Sequence, residues 1–193
     1  MKTRKDDPFF GELYLRTTKP FISQQVTDAE GAYLRHVFAE HAPMGPLLDL
    51  GCGHGRHLAQ LTGARPLFGL DRDRLSLEEA KALTPVVRGD FFSLPFRSES
   101  LAGAWAWYNS VCTFEDGDFT QLLREAHRCL KPKGLLVIHT SPREKIASQP
   151  DAHAEHRLPD GSQLVEDAHY DLATGRDSGP PPADAPRRPG DGR

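Results

Sequence analysis

The stretch LLDLGCGHGRHL, residues 47–58, places a run of aliphatic residues, one carboxylate and three alternate glycines in twelve positions. Gly51, Gly53 and Gly55 permit positive φ angles and let the backbone approach a ligand without obstruction by a Cβ atom. The pattern predicts a buried strand, a glycine turn, and then a helix that starts near His54 and points its free N–H groups at a ligand. A tight turn without a ligand is the alternative, but three glycines so close together are costly. We therefore expect a ligand at this turn.

Short apolar runs alternate with helical patterns along the chain. Runs that are apolar on both faces are typical of buried parallel strands, and they occupy residues 46–50, 66–71, 84–90, 101–107 and 135–140. Helices are expected from Thr27 with a capping-box Glu30, from His54 to a stop at Gly63, from near Ser76 with Glu79, and over about 118–130 with Asp118 as cap. Strands and helices in this order form right-handed crossovers. The sequence predicts an α/β fold with a doubly wound, Rossmann-like sheet.

The neighbours of the glycine turn narrow the choice of ligand. The dinucleotide fingerprint G-x-G-x-x-G would need a glycine where Arg56 stands, and the Gly-Lys-Ser/Thr of a P-loop is absent. Asp71 comes twenty residues after Gly51, at the tip of the next predicted strand, where an acid can hold both hydroxyls of a ribose. Asp49 would repel phosphates but suits a cationic group. S-adenosylmethionine has a ribose, a sulfonium, an ammonium and no phosphate, and it meets all of these requirements.

Four segments resemble the motifs of class I S-adenosylmethionine-dependent methyltransferases, and closely those of small bacterial members. They are LLDLGCGHGR, GLDRD, VVRGDFFSLPF and REAHRCLKPKGLLVI, within about residues 45–142. The resemblance implies S-adenosyl-L-methionine as the cofactor, with Asp71 on the ribose and Arg72 beside the adenine. It assigns Asp90 to the adenine amino group and Phe91 to the face of the ring. The implied cofactor-binding residues are Asp49, Gly51, Gly53, Asp71, Arg72, Asp90, Phe91 and Tyr108.

Local alternatives exist for three of the residues in these motifs. Asp90 is equally suited to capping a turn, because Gly-Asp pairs are turn formers. Phe91, considered without its motif, fits the hydrophobic core. Arg56 is placed either against the carboxylate of the cofactor or at the protein surface.

The segment WYNSVCTF, residues 107–114, follows the fourth predicted strand. In similar enzymes this part of the chain orients the acceptor toward the methyl group. It lacks the Asp/Asn-Pro-Pro-aromatic signature of enzymes that methylate amino groups of nucleic acids, which disfavours DNA or RNA bases and leaves a small-molecule acceptor. Tyr108, Asn109 and Ser110 are candidate liners of the acceptor pocket, or turn residues after a strand. His139, at the end of the fifth strand, is either a base or a buried histidine with satisfied hydrogen bonds. Methyl transfer needs a base only when the acceptor carries a proton, so no catalytic residue is assigned.

Composition limits the class of protein. The 193 residues are 38% hydrophobic and 26% charged with a net charge of −3, which provides no basic field for nucleic acid or membrane partners. There is no signal peptide and no apolar stretch of bilayer length, so we expect a cytoplasmic protein. The three cysteines are scattered and indicate neither disulfides nor zinc. His54 and His57 have no carboxylate or third ligand nearby in the sequence, so no metal site is expected.

The two ends of the chain are expected to differ from the core. The resemblance to these methyltransferases implies that residues 1–44 form a helical lid over the cofactor, with Phe9 and Tyr14 as pocket walls or as core residues. For residues 143–176 we expect a hairpin with Thr174-Gly175 as its turn, or a substrate-side insertion. His153 and His156 are expected in a solvated loop. Residues 177–193, dominated by proline, glycine and charge, are expected to be disordered and to form no strand.

The abrupt change of composition near Arg176 leads to the hypothesis that the chain is truncated or frame-shifted there. The final strands of the sheet would then be incomplete, with an edge that aggregates or is covered by a partner chain. One alternative to an active enzyme is a non-catalytic S-adenosylmethionine-binding or interaction protein. Another is a nicotinamide-dependent oxidoreductase, which the glycine spacing and Asp49 disfavour. The sequence leaves the oligomeric state open.

Overall fold

Five parallel strands form the central sheet, in the order β3-β2-β1-β4-β5. They are β1 (Leu47–Leu50), β2 (Leu67–Asp71), β3 (Val86–Arg88), β4 (Leu101–Ala106) and β5 (Leu130–Ile138). The chain runs outward from β1 through β2 to β3, and then returns to place β4 on the other side of β1. This order confirms the doubly wound α/β fold. It also forms a crevice at the carboxyl ends of β1 and β4, where sheets of this kind bind ligands.

The computed structural model describes residues 12–63, 65–108, 110–111, 114, 116–158, 161–177 and 183–185. The α-helices in this part of the chain are α1 (Glu12–Thr17), α2 (Gln24–His41), α3 (Arg56–Leu61), α4 (Arg74–Ala80), α5 (Asp116–Cys129) and α6 (Arg143–Ala147). Phe9, Asn109 and most of the predicted 177–193 tail lie outside the described residues. None of the helices just named is both long enough and apolar enough to cross a membrane.

Two hydrophobic clusters cover the two faces of the sheet. Leu47 faces a cluster built with α2, α3 and α4, whereas Leu48 faces a cluster that includes Leu122 of α5. Alternate residues of β1 thus lie on opposite faces, which is the geometry of a strand buried on both sides. Gly103 of β4 lies beneath α2, where a Cβ atom would be only 2.6 Å from Cε1 of Phe38. The helix can lie this close because the strand has a glycine at that point.

Two helices begin earlier than the sequence predicted. The N-cap of α2 is Ser23, whose Oγ accepts a backbone N–H of the first turn at 3.2 Å, and not Thr27. The N-cap of α4 is Asp73, so this helix begins at Arg74 and not near Ser76. Thr27 and Ser76 are 6% and 2% exposed. Both predicted starts are wrong for the same reason: they lie on the buried face of their helix, and a polar residue upstream forms the cap.

Three other boundaries also differ from the prediction. α3 begins at Arg56 and not at His54, because the glycine turn continues through Gly55, which is the N-cap. α5 begins at Asp116, two residues before the predicted cap Asp118. β5 begins directly after α5, at Leu130, since the strand continues through an irregular pairing between Leu101 and Gly103 of β4. Within the described ranges β5 pairs with β4 alone, so it forms the edge of the sheet.

The described residues divide into two compact units, one of residues 22–140 and one of residues before 22 and after 140. In the second unit β6 (Asp151–Arg157) and β7 (Gln163–Asp171) form an antiparallel hairpin. β7 also pairs with β8 (Arg176–Asp177) and β9 (Ala183–Ala185). The turn between β7 and β8 contains Thr174-Gly175, which confirms the predicted turn.

Two predictions for the second unit are wrong. His153 and His156 lie on β6 and not in a loop, where the ring nitrogens are 2.7 Å from Asp167 and 3.2 Å from Glu166 of β7. Cross-strand pairs of this kind stabilise a strand that has few apolar residues. The tail is also not free of strands, since β9 pairs with β7. Its pairing uses backbone groups, which small residues provide as well as large ones.

Candidate functional site

The glycine turn folds back over the end of β2. Gly51, Gly53 and Gly55 have φ angles of 79°, 51° and 87°, a region where other residues are strained. The N–H groups of Gly51 and Cys52 donate to the carbonyl of Leu70 at 2.8 and 3.1 Å. The conformational role predicted for these glycines is confirmed.

Asp71 is the last residue of β2, and its carboxylate lies against the glycine turn. One oxygen accepts the N–H of Gly53 at 2.8 Å, and the other accepts the N–H of Asp73 at 2.9 Å. Burial raises the pKa of Asp71, and these backbone hydrogen bonds only partly oppose the rise. A carboxylate has about four acceptor positions, so the group can still accept hydrogen bonds from a ligand. The structure therefore brings together the predicted ribose acid and the glycine turn.

Asp49 lies inside the sheet, paired with Gly69 of β2 on one side and Trp105 of β4 on the other. Its exposure is 2%. Burial, followed by the negative charge of Asp71, raises the pKa of Asp49 well above its usual value. A carboxylate in this environment favours a nearby cation and disfavours a phosphate. This electrostatic setting matches the sequence argument for a cationic ligand.

The segment after β3 carries Asp90 and Phe91. The ring of Phe91 borders the glycine turn, with Cζ 3.3 Å from the position that a Cβ of Gly51 would take. Asp90 is exposed, and its Oδ1 accepts the backbone N–H two residues further on at 2.8 Å, as expected for a turn cap. Arg72 is half-buried, and its carbonyl accepts a hydrogen bond from Nε of Arg88 at 3.0 Å. Phe91 thus lies at the site, while the adenine contacts of Asp90 and Arg72 stay predictions.

Aromatic residues gather where β4 and β5 end. The rings of Trp107 and His139 stack with centroids 4.6 Å apart. Tyr108 is half-exposed with a φ angle of 53°, and its ring lies 5.8 Å from that of His139. Nδ1 of His139 is buried and makes no hydrogen bond to the described residues. Ser110 borders Gly51, with its Cβ 3.1 Å from the position of a Cβ there.

A buried ionic cluster, not predicted from the sequence, links α2 to the glycine turn. Glu30 of α2 accepts hydrogen bonds from Nη1 of Arg56 and from Nε2 of His57, the latter at 3.1 Å. Burial acts to raise the pKa of Glu30, but hydrogen bonds from Arg56, Trp107 and His57 outweigh it and lower the pKa. The pKa of His57 is lowered to about 4, mainly by burial and then by the charge of Arg56. His57 is therefore neutral at pH 7.

The surface position considered for Arg56 is not observed. Its side chain is 11% exposed, and the guanidinium carbon lies 4.9 Å from the ring centroid of Tyr108. The available signal was the helical spacing of Thr27, Glu30 and Leu34, which puts two polar residues on the core face of α2. Polar residues at such positions need partners. Because Thr27 and Glu30 were assigned to a capping box, their need for buried polar partners was not predicted.

Comparison with known proteins shows which sequences the core resembles. The family model described as a methyltransferase domain matches residues 47–134. Over 107 residues the chain is 35% identical to the uncharacterized methyltransferase YodH of Bacillus subtilis (strain 168), a match that covers 51% of this chain and 44% of that protein. The chain spans less than half the length of the curated relatives it matches.

Solved structures share the fold. A S-adenosylmethionine-dependent methyltransferase from Clostridium acetobutylicum ATCC 824 superposes with a TM-score of 0.65 at 14% identity, over 82% of this chain and 67% of that chain. The CcbJ methyltransferase from Streptomyces caelestis gives a TM-score of 0.64 at 19% identity, over 88% of this chain and 78% of that chain. The residues that match the family model include the glycine turn and Asp71. Residues 47–134 thus match a methyltransferase domain in sequence, and the chain shares its fold with solved methyltransferases.

Proposed function

We propose that this chain transfers the methyl group of S-adenosylmethionine to a small-molecule acceptor, through a cofactor-binding core at residues 45–142. One observation carries the proposal. The carboxylate of Asp71 lies 2.8 Å from the N–H of Gly53, so an acid suited to a ribose meets a bare glycine turn at the crevice of the sheet. A net charge of −3 gives the chain no overall basic field that would attract a nucleic-acid acceptor, which supports a small molecule.

The residues around the turn fit this cofactor. A Cβ at Gly51 would lie 3.1 Å from Cβ of Ser110 and 3.3 Å from Cζ of Phe91, so only a glycine leaves the backbone open between these two side chains. Asp49 provides a buried carboxylate that favours a cationic ligand. Asp71 keeps acceptor positions for ribose hydroxyls.

Four of the cofactor-binding residues have proposed contacts with the nucleoside part of the cofactor. Asp71 accepts hydrogen bonds from the ribose, and Phe91 lies beside the adenine ring. Arg72 and Asp90 contact the adenine from the ends of β2 and β3. The full proposed set is Asp49, Gly51, Gly53, Asp71, Arg72, Asp90, Phe91 and Tyr108.

The cofactor supplies a methyl group that its sulfonium has already activated, so the protein has to align the acceptor and exclude water. The acceptor is proposed to lie at the carboxyl ends of β4 and β5, beside Tyr108 and His139. Nδ1 of His139 is buried and unpaired among the described residues. It is available to take a proton from an acceptor that carries one.

Isothermal titration calorimetry with S-adenosylhomocysteine tests the cofactor assignment. Wild-type protein should bind it, and Asp71→Ala should weaken binding by about 1–3 kcal/mol, because charge-assisted hydrogen bonds to the ribose are lost. Asp118→Asn removes an exposed carboxylate on α5 and should leave affinity unchanged. Equal affinity of wild type and Asp71→Ala, or binding of NAD in place of S-adenosylhomocysteine, would contradict the proposal.

The acceptor class is tested with cofactor labelled in its methyl group. The protein is incubated with the small-molecule fraction of a cell extract, and separately with the nucleic-acid fraction. Label in the small-molecule fraction supports the proposal. Label only in nucleic acid overturns the acceptor class, and label in neither fraction argues against catalysis.

A further inference from the structure

Four rings form a connected aromatic row where β4 and β5 end: those of Tyr33, Trp107, His139 and Tyr108. The ring of Trp107 stacks on that of His139, with centroids 4.6 Å and planes 13° apart. Trp107 also contacts Tyr33 of α2, at 6.1 Å between centroids, and His57 of α3, at 5.5 Å. These three ring contacts fix Trp107, and Trp107 in turn fixes one face of the imidazole of His139.

The backbone of His139 is held as firmly as its ring. Its N–H donates to the carbonyl of Ala106 at 2.9 Å, so the pairing of β5 with β4 continues beyond Ile138. Nδ1 is nevertheless buried without a hydrogen-bond partner in the described part of the chain. Buried polar atoms without partners are rare in native structures and need a reason. A fixed imidazole with an unused nitrogen is suited to accept a proton from a bound molecule.

Tyr108 lies at an exposed end of the aromatic row. Its side chain is half-exposed, and its ring centroid lies 5.8 Å from that of His139. The φ angle of Tyr108 is 53°, which is uncommon for a residue other than glycine, and strained residues of this kind gather at functional sites. The exposed ring can turn aside, whereas Trp107 is fixed by its neighbours. An acceptor with a planar ring therefore has an aromatic surface beside the imidazole.

The charges next to Tyr108 limit the nucleophile of the acceptor. The guanidinium carbon of Arg56 lies 4.9 Å from the ring centroid of Tyr108, so this ring already holds a cation. The carboxylate of Glu30 is likewise shared between Arg56 and His57. An amine is an ammonium ion at neutral pH, and beside Tyr108 it would compete with the fixed guanidinium. A hydroxyl arrives neutral, and the nearby positive charge favours the oxygen anion that forms as its proton leaves.

We propose that the acceptor is a phenol and that Nδ1 of His139 takes the proton of its hydroxyl group. Trp107 is the positioning residue that holds the imidazole. The inference rests on the proposed function and names its acceptor class. A neutral imidazole takes a proton more readily from a phenol, whose pKa is about 10, than from an aliphatic alcohol, which is far less acidic.

The step is balanced without another reactant. The phenol oxygen forms a bond to the methyl carbon while the carbon–sulfur bond of the cofactor breaks and leaves its electron pair on sulfur. The hydroxyl proton passes to Nδ1 of His139, whose other imidazole hydrogen is on Nε2. The products are an aryl methyl ether, the neutral thioether of the cofactor and a protonated imidazole.

Three probes that share one benzene ring separate the nucleophiles: phenol, benzyl alcohol and benzylamine. Each is incubated with the wild type and cofactor labelled in its methyl group. Label should enter phenol and not the other two. Binding is measured separately by saturation-transfer NMR on the protein loaded with S-adenosylhomocysteine. Phenol should bind and benzylamine should not, because only the amine carries a positive charge.

A more acidic phenol isolates the role of His139. Phenol needs a base, whereas 4-nitrophenol is largely ionised in mildly alkaline buffer and needs none. In such buffer His139→Gln should lower methyl transfer to phenol roughly a hundredfold or more and change transfer to 4-nitrophenol little. Calorimetry should give this variant the wild-type affinity for S-adenosylhomocysteine. His36→Gln changes an exposed histidine of α2 and is the matched control, with wild-type rates for both phenols.

Two variants of Trp107 test its positioning role. Trp107→Leu removes the aromatic face and should lower transfer to phenol roughly ten- to a hundredfold, because the imidazole is no longer held in place. Transfer to 4-nitrophenol should fall less. Trp107→Phe keeps an aromatic face and should retain most of the activity toward phenol. It keeps the test open if Trp107→Leu does not fold, which circular dichroism would show.

Each outcome decides the proposal. Binding of phenol, with transfer that requires His139 for phenol but not for 4-nitrophenol, supports it. Equal or greater transfer to benzylamine or benzyl alcohol overturns it, as do equal losses for the two phenols in His139→Gln and a lack of transfer to every probe. Failure of the wild type to bind S-adenosylhomocysteine would instead contradict the proposed function.

Discussion

At the scale of single residues, two glycines on either side of α3 separate backbone strain from crowding. Gly55 and Gly63 have φ angles of 87° and 95°. A Cβ at Gly55 would lie 2.9 Å from Cδ1 of Leu83 and 3.2 Å from Cα of Ala80, whereas a Cβ at Gly63 would meet no atom of the described residues within 4 Å. The two positions share a conformation but not an environment.

Gly63→Ala should lower the free energy of unfolding by about 1–2 kcal/mol, from the left-handed conformation alone. Gly55→Ala should lower it by about 3 kcal/mol, because α4 must shift as well. Urea denaturation of the two variants measures the difference. Equal destabilisation of the two variants would mean that the contact with α4 adds nothing to the loss of unfolding free energy in Gly55→Ala.

At the scale of elements, α5 holds the segment that follows β3. Arg128 donates from Nη1 and Nη2 to the carbonyls of Phe96 and Leu94, at 2.9 Å each. Glu125 accepts the N–H of Leu94 at 2.8 Å and also pairs with Arg128. This segment follows directly on Phe91, which borders the glycine turn. The helix therefore supports one wall of the site.

Arg128→Met should lower the free energy of unfolding by about 1–2 kcal/mol, because two carbonyls lose their donor and water replaces it only partly. Arg124→Met, at an exposed position on the same helix, should change it by less than about 0.5 kcal/mol. Chemical denaturation compares the two. A loss in Arg128→Met no larger than in the control would show that the segment is held by packing alone.

At the scale of the whole molecule, buried His57 links stability to pH. Its pKa is lowered to about 4 in the folded protein, compared with about 6.5 in an unfolded chain. Below about pH 6.5 the unfolded state binds a proton that the folded state does not, so stability falls as the pH falls toward 4, by roughly 3 kcal/mol in total. Above that range His57 is neutral in both states and contributes no pH dependence.

The contribution of His57 is measured as a difference between wild type and His57→Gln. Asp49 and Asp71 have raised pKa values and so act in the opposite direction, gaining stability as the pH falls. Denaturation of both proteins between pH 4 and 7 cancels these shared contributions. The difference in unfolding free energy should change across this range, and a constant difference would show that His57 does not titrate as a buried neutral group.

The α/β architecture and the centre of the site could be predicted because they depend on short-range patterns. Strands buried on both faces leave continuous apolar runs, and Gly51 and Gly53 signal a backbone that only glycine adopts. Asp71 was found from its position at the tip of β2 relative to the turn. The first residues of helices were harder to predict. Thr27 and Ser76 are residue types that often cap helices, and only their burial in the folded protein rules out that role.

The order of strands and helices, the glycine turn and the position of Asp71 beside it follow from sequence patterns, because each is encoded within one element or at its end. Which polar residues are buried together depends instead on the packing of one element against another. Glu30 and Arg56 are 26 residues apart, and they meet because α2 packs against α3. The histidines of the strand at 151–157 likewise pair with acids of β7 that lie 10 or more positions away in the sequence. Such contacts depend on how elements pack, and no local pattern records that geometry.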